Sequence, residues 1–177
     1  MNNPDFNQQL IDFLNASPSP FHATQNMAAM LTKNGFSELK EPNKWETPAG
    51  KYFVTRNDSS IVAFIIGHRP LEETGIRMVG AHTDSPCLKV KPRPERKSHG
   101  YQQLGVEVYG GVLLNPWFDR DLSLAGRVTF KNSKDQLTSI LVNLEKPIAV
   151  IPSLAIHLDR DANKEKTINP ETDLAPI

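Results

Sequence analysis

The feature that most constrains the fold is an uninterrupted apolar run at residues 61–66, with the sequence IVAFII. Successive side chains of a β-strand point to opposite faces of the sheet, so this run would present apolar side chains on both faces. Strands of this kind are typical of the interior of a sheet that is covered on each side. The run therefore predicts a central, doubly covered strand.

Two helices are expected before this strand. Residues 5–14 carry apolar side chains at positions i, i+4, i+7 and i+8, which is the spacing of one face of an α-helix. Ser19 is a suitable N-cap with Pro20 at the first helical position, and Gly35 is the type of residue that ends a helix. A second helix is therefore predicted from Pro20 to the residues before Gly35.

The strands follow these helices in the sequence. Residues 51–55 and 61–66 are joined by the polar sequence RNDSS, whose residue types favour turns, and together they predict a β-hairpin. A third strand is expected at residues 75–81, and the polar sequence HTDSP follows it directly. Polar residues just after a buried strand are typical of α/β enzymes that work at the carboxyl edge of their sheet.

The character of the sequence changes after Cys87. Residues 89–97 combine five basic side chains with two prolines, and this spacing of proline predicts an irregular connector between domains. The basic residues fit either a solvated connector or a site for an anionic ligand. From Leu104 onward, short β-branched runs separated by Gly, Asn, Asp and Pro predict a mostly β module. We therefore expect two domains, at residues 1–88 and 89–177.

The charge and cysteine content exclude several functional classes. Twenty Lys and Arg residues balance twenty Asp and Glu residues, so the chain lacks the positive field of proteins that bind nucleic acids or anionic membranes. No apolar run approaches the roughly 18 residues that span a bilayer. The single cysteine, Cys87, excludes an intrachain disulfide and fits a reducing compartment. We expect a cytoplasmic protein that binds neither nucleic acid nor membrane.

Common catalytic motifs are absent from the sequence, and His82 is the most informative histidine. The sequence contains no phosphate-binding glycine loop, no hydrolase nucleophile elbow and no H-E-x-x-H zinc helix. Residues i and i+2 of an extended stretch point to the same side, so His82 and Asp84 would face one cavity. A metal-bound imidazole usually has its second nitrogen held by a carboxylate. The spacing alone fits either a metal ligand or a strand-end histidine that its neighbours satisfy.

The longer string around His82, VGAHTDSP at residues 79–86, resembles the signature of the aspartyl aminopeptidase family of cytosolic dinuclear zinc exopeptidases. Four further blocks resemble that family and occur in its order. They are SPSPFH at residues 17–22, YGG at 109–111, WFDRDL at 117–122 and IPSLAIHL at 151–158. Several separated blocks in one order are more specific than any single motif.

The resemblance implies a fold, a cofactor and roles for three residues. The fold is α/β, the N-terminal part of a mixed-sheet catalytic domain followed by a mostly β inserted dimerisation domain. His82 corresponds to a histidine that binds one of two zinc ions, and Asp84 to the catalytic carboxylate that orients this histidine. His157 corresponds to a histidine of the inserted domain that contacts metal or substrate, in the active site of a neighbouring subunit.

The resemblance also implies an activity and an assembly. A member of this family is a zinc metalloaminopeptidase that removes N-terminal, preferably acidic, residues from peptides, and we expect a homo-oligomer. In such a site the zinc ions lower the pKa of a bridging water and polarise the peptide carbonyl. A glutamate of the family, which this sequence does not match, takes the proton of that water.

The number of ligands limits what the chain does alone. Two zinc ions need roughly five or six protein ligands, and this sequence matches only His82 and His157 among those of the family. We therefore expect both domains to be incomplete, the chain alone to be inactive, and apolar surface near residues 61–66 to be exposed. The alternative is a non-catalytic oligomerisation or regulatory module that assembles with a full-length relative.

Overall fold

The computed structural model describes residues 4–177, and these form two compact units. The first unit contains the chain through Asp84 together with Ala125–Asn143, and the second contains Ser85–Leu124 and Leu144–Ile177. The expected division at residue 88 stays a prediction about catalytic and inserted domains. The compact units differ from it mainly because 125–143 belongs to the first unit.

Two helices open the first unit, as the sequence predicts. Helix α1 spans Pro4–Asn15 and helix α2 spans Pro20–Lys33. The Ser19 hydroxyl accepts the backbone N–H of His22 at 3.4 Å and so satisfies one of the free donors at the start of α2. Gly35 adopts a φ of 81°, in the left-handed region that glycine reaches without strain. The capping chemistry therefore sets both ends of α2.

Three strands form the sheet of the first unit. Strands β1 (Ser37–Leu39), β2 (Gly50–Arg56) and β3 (Ser60–Ile66) lie in the order β1-β2-β3, with β1 parallel to β2 and β3 antiparallel to β2. Asn57 and Asp58 turn the hairpin with φ values of 51° and 54°, which Asn and Asp tolerate better than most residues. The predicted hairpin is confirmed.

The prediction that residues 61–66 form the central, doubly covered strand is wrong. Strand β2 is central and carries the buried Phe53, whereas β3 lies at the edge of the described three-stranded sheet. Val62 and Ile65 of β3 are 61% and 67% exposed. The apolar pattern predicts a strand at residues 61–66, and β3 is one. Its position in the sheet depends on its neighbours, and no described strand pairs with its second edge. The expected apolar exposure near this strand is present.

The third predicted strand, at residues 75–81, is also absent. A short helix, α3 (Leu71–Thr74), precedes this segment, which the described part of the chain leaves without a strand partner. Val79 is 99% exposed and Met78 is nearly as accessible. A β-strand is defined by its hydrogen-bonded neighbour, so the β-like sequence pattern alone does not make this segment a strand.

The second unit contains an antiparallel pair, β4 (Cys87–Ser98) and β5 (Tyr101–Tyr109). Residues 89–97 therefore lie in a strand, and the predicted irregular connector is wrong. The pairing register shifts between Val90 and Glu95, so both prolines fall in an irregularity where no ladder hydrogen bond is required of them.

Basic side chains of β4 are engaged within the second unit. Lys91 forms an ion pair with Glu171, and the Arg96 guanidinium donates to the Glu171 carbonyl oxygen at 2.8 Å. The Lys89 ammonium lies 5.5 Å from the centroid of the Tyr109 ring, a cation–π distance. These contacts favour a structural role for the basic residues over the anionic-ligand interpretation.

The core of the second unit is closed by residues from the end of the sequence. Val106, Ile151 and Leu174 are buried together, with Trp117 packed against them. The Leu104 N–H donates to the Pro176 carbonyl oxygen at 2.9 Å. Residues 150 and 177 exchange two backbone hydrogen bonds of 2.9 and 3.0 Å. The final segment is therefore held on both sides by backbone pairing.

A second hairpin, β6 (Ala125–Lys131) and β7 (Leu137–Asn143), completes the first unit. The Arg127 guanidinium lies 4.2 Å from the centroid of the Phe21 ring and donates to the Asn57 carbonyl oxygen at 2.8 Å. Its terminal nitrogen is 3.6 Å from the Asp58 carboxylate. One side chain thus joins this hairpin to α2 and to the turn between β2 and β3.

Candidate functional site

His82 and Asp84 meet in the segment that follows α3 in the first unit. The His82 Nδ1 atom lies 2.8 Å from the Asp84 carbonyl oxygen and 3.1 Å from its carboxylate Oδ1 atom. A carbonyl oxygen only accepts hydrogen bonds, so Nδ1 carries the proton and donates it. In the neutral imidazole the lone pair then belongs to Nε2, the nitrogen that a metal ion would bind.

The surroundings of this pair are open and polar. The His82 side chain is largely exposed, and the Asp84 side chain is more than one-third exposed. Between them, the Thr83 hydroxyl donates to the Ser59 carbonyl oxygen at 2.6 Å and fixes the segment beside the first residues of β3. The sequence-predicted pair is therefore positioned by its own backbone and by one contact with the hairpin turn.

His157 belongs to the second unit and lies on an exposed turn. The turn is closed by the Leu158 N–H, which donates to the Ala155 carbonyl oxygen at 2.8 Å. His157 therefore lies in a different compact unit from His82 and Asp84.

The residues of the described chain do not fit a complete zinc site. A catalytic zinc ion usually takes three protein side chains, and a dinuclear site takes more. Residues 4–177 contain no group of three or more His, Cys, Asp or Glu side chains that could hold a metal ion. The His82–Asp84 pair fits one ligand with its orienting carboxylate. No step of metal-dependent hydrolysis follows from these residues alone.

Asp119 of the second unit is a residue whose contacts the sequence does not predict. Its Oδ1 atom accepts the Ser153 N–H at 2.9 Å, and its own N–H donates to the Ile151 carbonyl oxygen at 2.9 Å. The hydrogen bonds from Ser153 favour the ionised carboxylate and lower the pKa of Asp119. This hydrogen bond joins the blocks WFDRDL and IPSLAIHL across 34 positions of the sequence, so no local sequence pattern predicts it.

An open groove of about 900 Å³ lies in the second unit. Four carboxylates line it, those of Asp159, Asp161, Glu165 and Asp173. Lys166 also lines the groove and pairs with Asp159 at 2.8 Å. Hydrogen bonds from the Thr172 hydroxyl and from the Asn169 N–H lower the pKa of Asp173. None of the three predicted site residues lines this groove.

A comparison with protein-family models defines the class to which this chain belongs. The family model for the Aminopeptidase I zinc metalloproteases (M18) matches residues 13–177. This match defines the class as zinc metalloprotease. The chain belongs to the M18 peptidase family.

Individual relatives support the same assignment. A probable M18 family aminopeptidase 2 of Ectopseudomonas mendocina is 61% identical over 171 residues, which cover 96% of this chain and 40% of that protein. The chain thus spans about 40% of the length of the curated relatives it matches. The predicted family is confirmed.

Solved structures share the fold. A chain in the cryo-EM structure of the Ape4 and Nbr1 complex superposes with a TM-score of 0.90 at 45% identity, over 96% of this chain and 33% of that chain. The S. cerevisiae mApe1 dodecamer gives a TM-score of 0.79 at 34% identity, over 86% of this chain and 36% of that one. The mixed α/β class is therefore confirmed. In the described chain no helix is long and apolar enough to cross a membrane.

Proposed function

We propose that this chain supplies the His82 side of the active site of an M18 zinc metalloaminopeptidase. The observation that carries this proposal is the donation of Nδ1 to the backbone carbonyl oxygen and the carboxylate Oδ1 atom of Asp84, because it leaves the Nε2 lone pair for a metal ion. In this role His82 is a zinc ligand. Asp84 orients its imidazole.

The complete site would hold two zinc ions and cleave the N-terminal residue from peptides, with a preference for acidic residues. His157 would contact metal or substrate in a neighbouring subunit, and its exposure on a turn of the second unit supports this role. The dodecameric state of the mApe1 relative supports a homo-oligomer. Residues 89–177 would then form part of an inserted dimerisation domain. We assign the protein to the cytoplasm.

The chain alone is proposed to be inactive and to bind zinc weakly, because the described residues hold no three-ligand cluster. Calorimetric titration with zinc tests the assignment of the ligands. Replacing His82 by Ala should abolish the weak binding, and Asp84→Asn should weaken it by about tenfold, as loss of an orienting carboxylate does elsewhere.

His68→Ala is the matched control, because His68 is also exposed and lies in the same unit. Zinc binding that survives in the His82→Ala variant would contradict the assignment. Zinc-dependent release of N-terminal aspartate from a peptide by the purified chain would contradict its inactivity.

A second candidate function is a non-catalytic module that assembles with a full-length relative. The exposed apolar side chains of β3 at the edge of its sheet favour this candidate. Size-exclusion chromatography with and without the E. mendocina relative tests it. A chain that elutes unchanged in the presence of the relative would remove this candidate.

A further inference from the structure

Asp119 holds the segment that leads to His157 through its backbone. The residue adopts a φ of 54°, a left-handed conformation in which Asp and Asn are less strained than most residues. This conformation aims its N–H at the Ile151 carbonyl oxygen, 2.9 Å away. The preceding residue, Phe118, forms a parallel bridge with Ile151, which is almost completely buried. The attachment therefore begins in the core of the second unit.

The carboxylate of Asp119 makes a second attachment two residues further along the same segment. Its Oδ1 atom accepts the Ser153 N–H at 2.9 Å. A carboxylate acceptor forms a stronger hydrogen bond than a neutral one. One residue thus fixes the chain at both Ile151 and Ser153, immediately before the turn that contains His157.

Lys166 holds the segment on the other side of His157. Its ammonium group lies 2.8 Å from the Asp159 carboxylate and 5.4 Å from the centroid of the Phe118 ring. Both partners of the Lys166–Asp159 pair are less than one-third exposed, so solvent screens this ion pair less than a surface pair. The residues from 154 to 158 are therefore anchored at each end.

We propose that Asp119 is a positioning residue that holds the exposed His157 imidazole in one place for contact with the active site of a neighbouring subunit. This inference rests on the proposed role of His157. A side chain that must reach a site outside its own unit gains from an anchored backbone, because ordering it on contact would cost conformational entropy. In this role Asp119 acts through the backbone of the segment and not through a contact of its own with metal or substrate.

Three variants of Asp119 separate its two contributions. Asp119→Asn keeps an oxygen acceptor and tolerates the left-handed conformation, Asp119→Gly keeps only the conformation, and Asp119→Ala keeps neither. Asp121→Gly is the matched control, because Asp121 is an exposed carboxylate only two positions after Asp119. In a Trp45→Phe background, fluorescence of Trp117, which packs on the core, reports for each variant whether the second unit is folded.

The primary measurement is amide hydrogen exchange of Ser153 in the full chain, together with the line widths of the His157 imidazole protons by NMR. Loss of the carboxylate in Asp119→Gly should speed Ser153 exchange about tenfold. Asp119→Ala should speed it by about tenfold more, since alanine resists the left-handed region. Asp119→Asn should stay within about threefold of the parent chain. The line widths of the His157 imidazole protons should change least in Asp119→Asn, more in Asp119→Gly and most in Asp119→Ala.

The inference is overturned if Asp119→Gly leaves the Ser153 exchange and the His157 signals unchanged. It is also overturned if Asp119→Asn speeds Ser153 exchange as much as Asp119→Gly does, or if Asp121→Gly speeds it equally. These measurements need neither zinc nor peptide, so failure of the proposed aminopeptidase function is detected separately, by the zinc titration of His82 variants.

Discussion

Replacing Leu174 by Ala should destabilise the second unit strongly. Leu174 is 0% exposed and packs with Ile151 and Val106 in the core of this unit. Substitutions of buried leucine by alanine cost about 2–5 kcal/mol, and the cost is larger where the site cannot collapse. Backbone hydrogen bonds of Pro176 and Ile177 hold the segment in place, which favours a cavity over collapse. We expect a loss of about 3 kcal/mol in the free energy of unfolding of this unit.

Urea denaturation monitored by tryptophan fluorescence measures this loss. Trp117 packs against the core of the second unit, whereas Trp45 belongs to the first, so a Trp45→Phe background leaves one reporter. With a slope of about 1.5 kcal/mol per molar urea, a loss of about 3 kcal/mol lowers the midpoint by about 2 M.

Leu158→Ala provides the control, because Leu158 lies in the same unit and is 74% exposed. Its midpoint should move by less than the equivalent of about 0.5 kcal/mol. Equal shifts for the two variants, or a Leu174→Ala midpoint within error of the parent, would refute the assignment of Leu174 to the core.

Three further predictions concern the rest of the chain. Arg127→Lys should speed amide exchange in β6 and β7 by about tenfold, since lysine replaces neither the stacking on the Phe21 ring nor the hydrogen bond to the Asn57 carbonyl; an unchanged pattern would contradict this anchor. The pKa of Asp119 is lowered on folding, so the stability that its carboxylate contributes is present above its unfolded pKa and is lost as pH falls through its folded pKa. When the free energy of unfolding is measured against pH, Asp119→Asn should not show this loss. A chelator should leave the thermal unfolding midpoint unchanged, because the described residues hold no three-ligand metal cluster; a lower midpoint would indicate a structural metal.

Local features of the fold were predictable because their causes lie within a few residues. Ser19 and Gly35 set the ends of α2 through capping, and the polar turn after β2 produced the expected hairpin. The contact of His82 with Asp84 was predictable for the same reason, since the two residues stand only two positions apart in an extended stretch. Each of these predictions needs only short-range geometry.

The wrong predictions share a dependence on distant partners. The position of β3 in its sheet is decided by which strands pair with it, and the sequence of β3 does not specify them. The two prolines of β4 are compatible with a strand because they fall at its register shift opposite β5. The contact of Asp119 with Ser153 also joins distant positions of the sequence, and no local pattern predicts it.

The buried position of Leu174 has a consequence for the order of folding during synthesis. The described residues of the first unit have all been synthesised once Asn143 has left the ribosome, whereas the core of the second unit still lacks Leu174 at that point. Domains generally fold as units as they emerge. Until Leu174 is made, Val106 and Ile151 lack a packing partner, so the nascent second unit exposes apolar surface that a chaperone would cover.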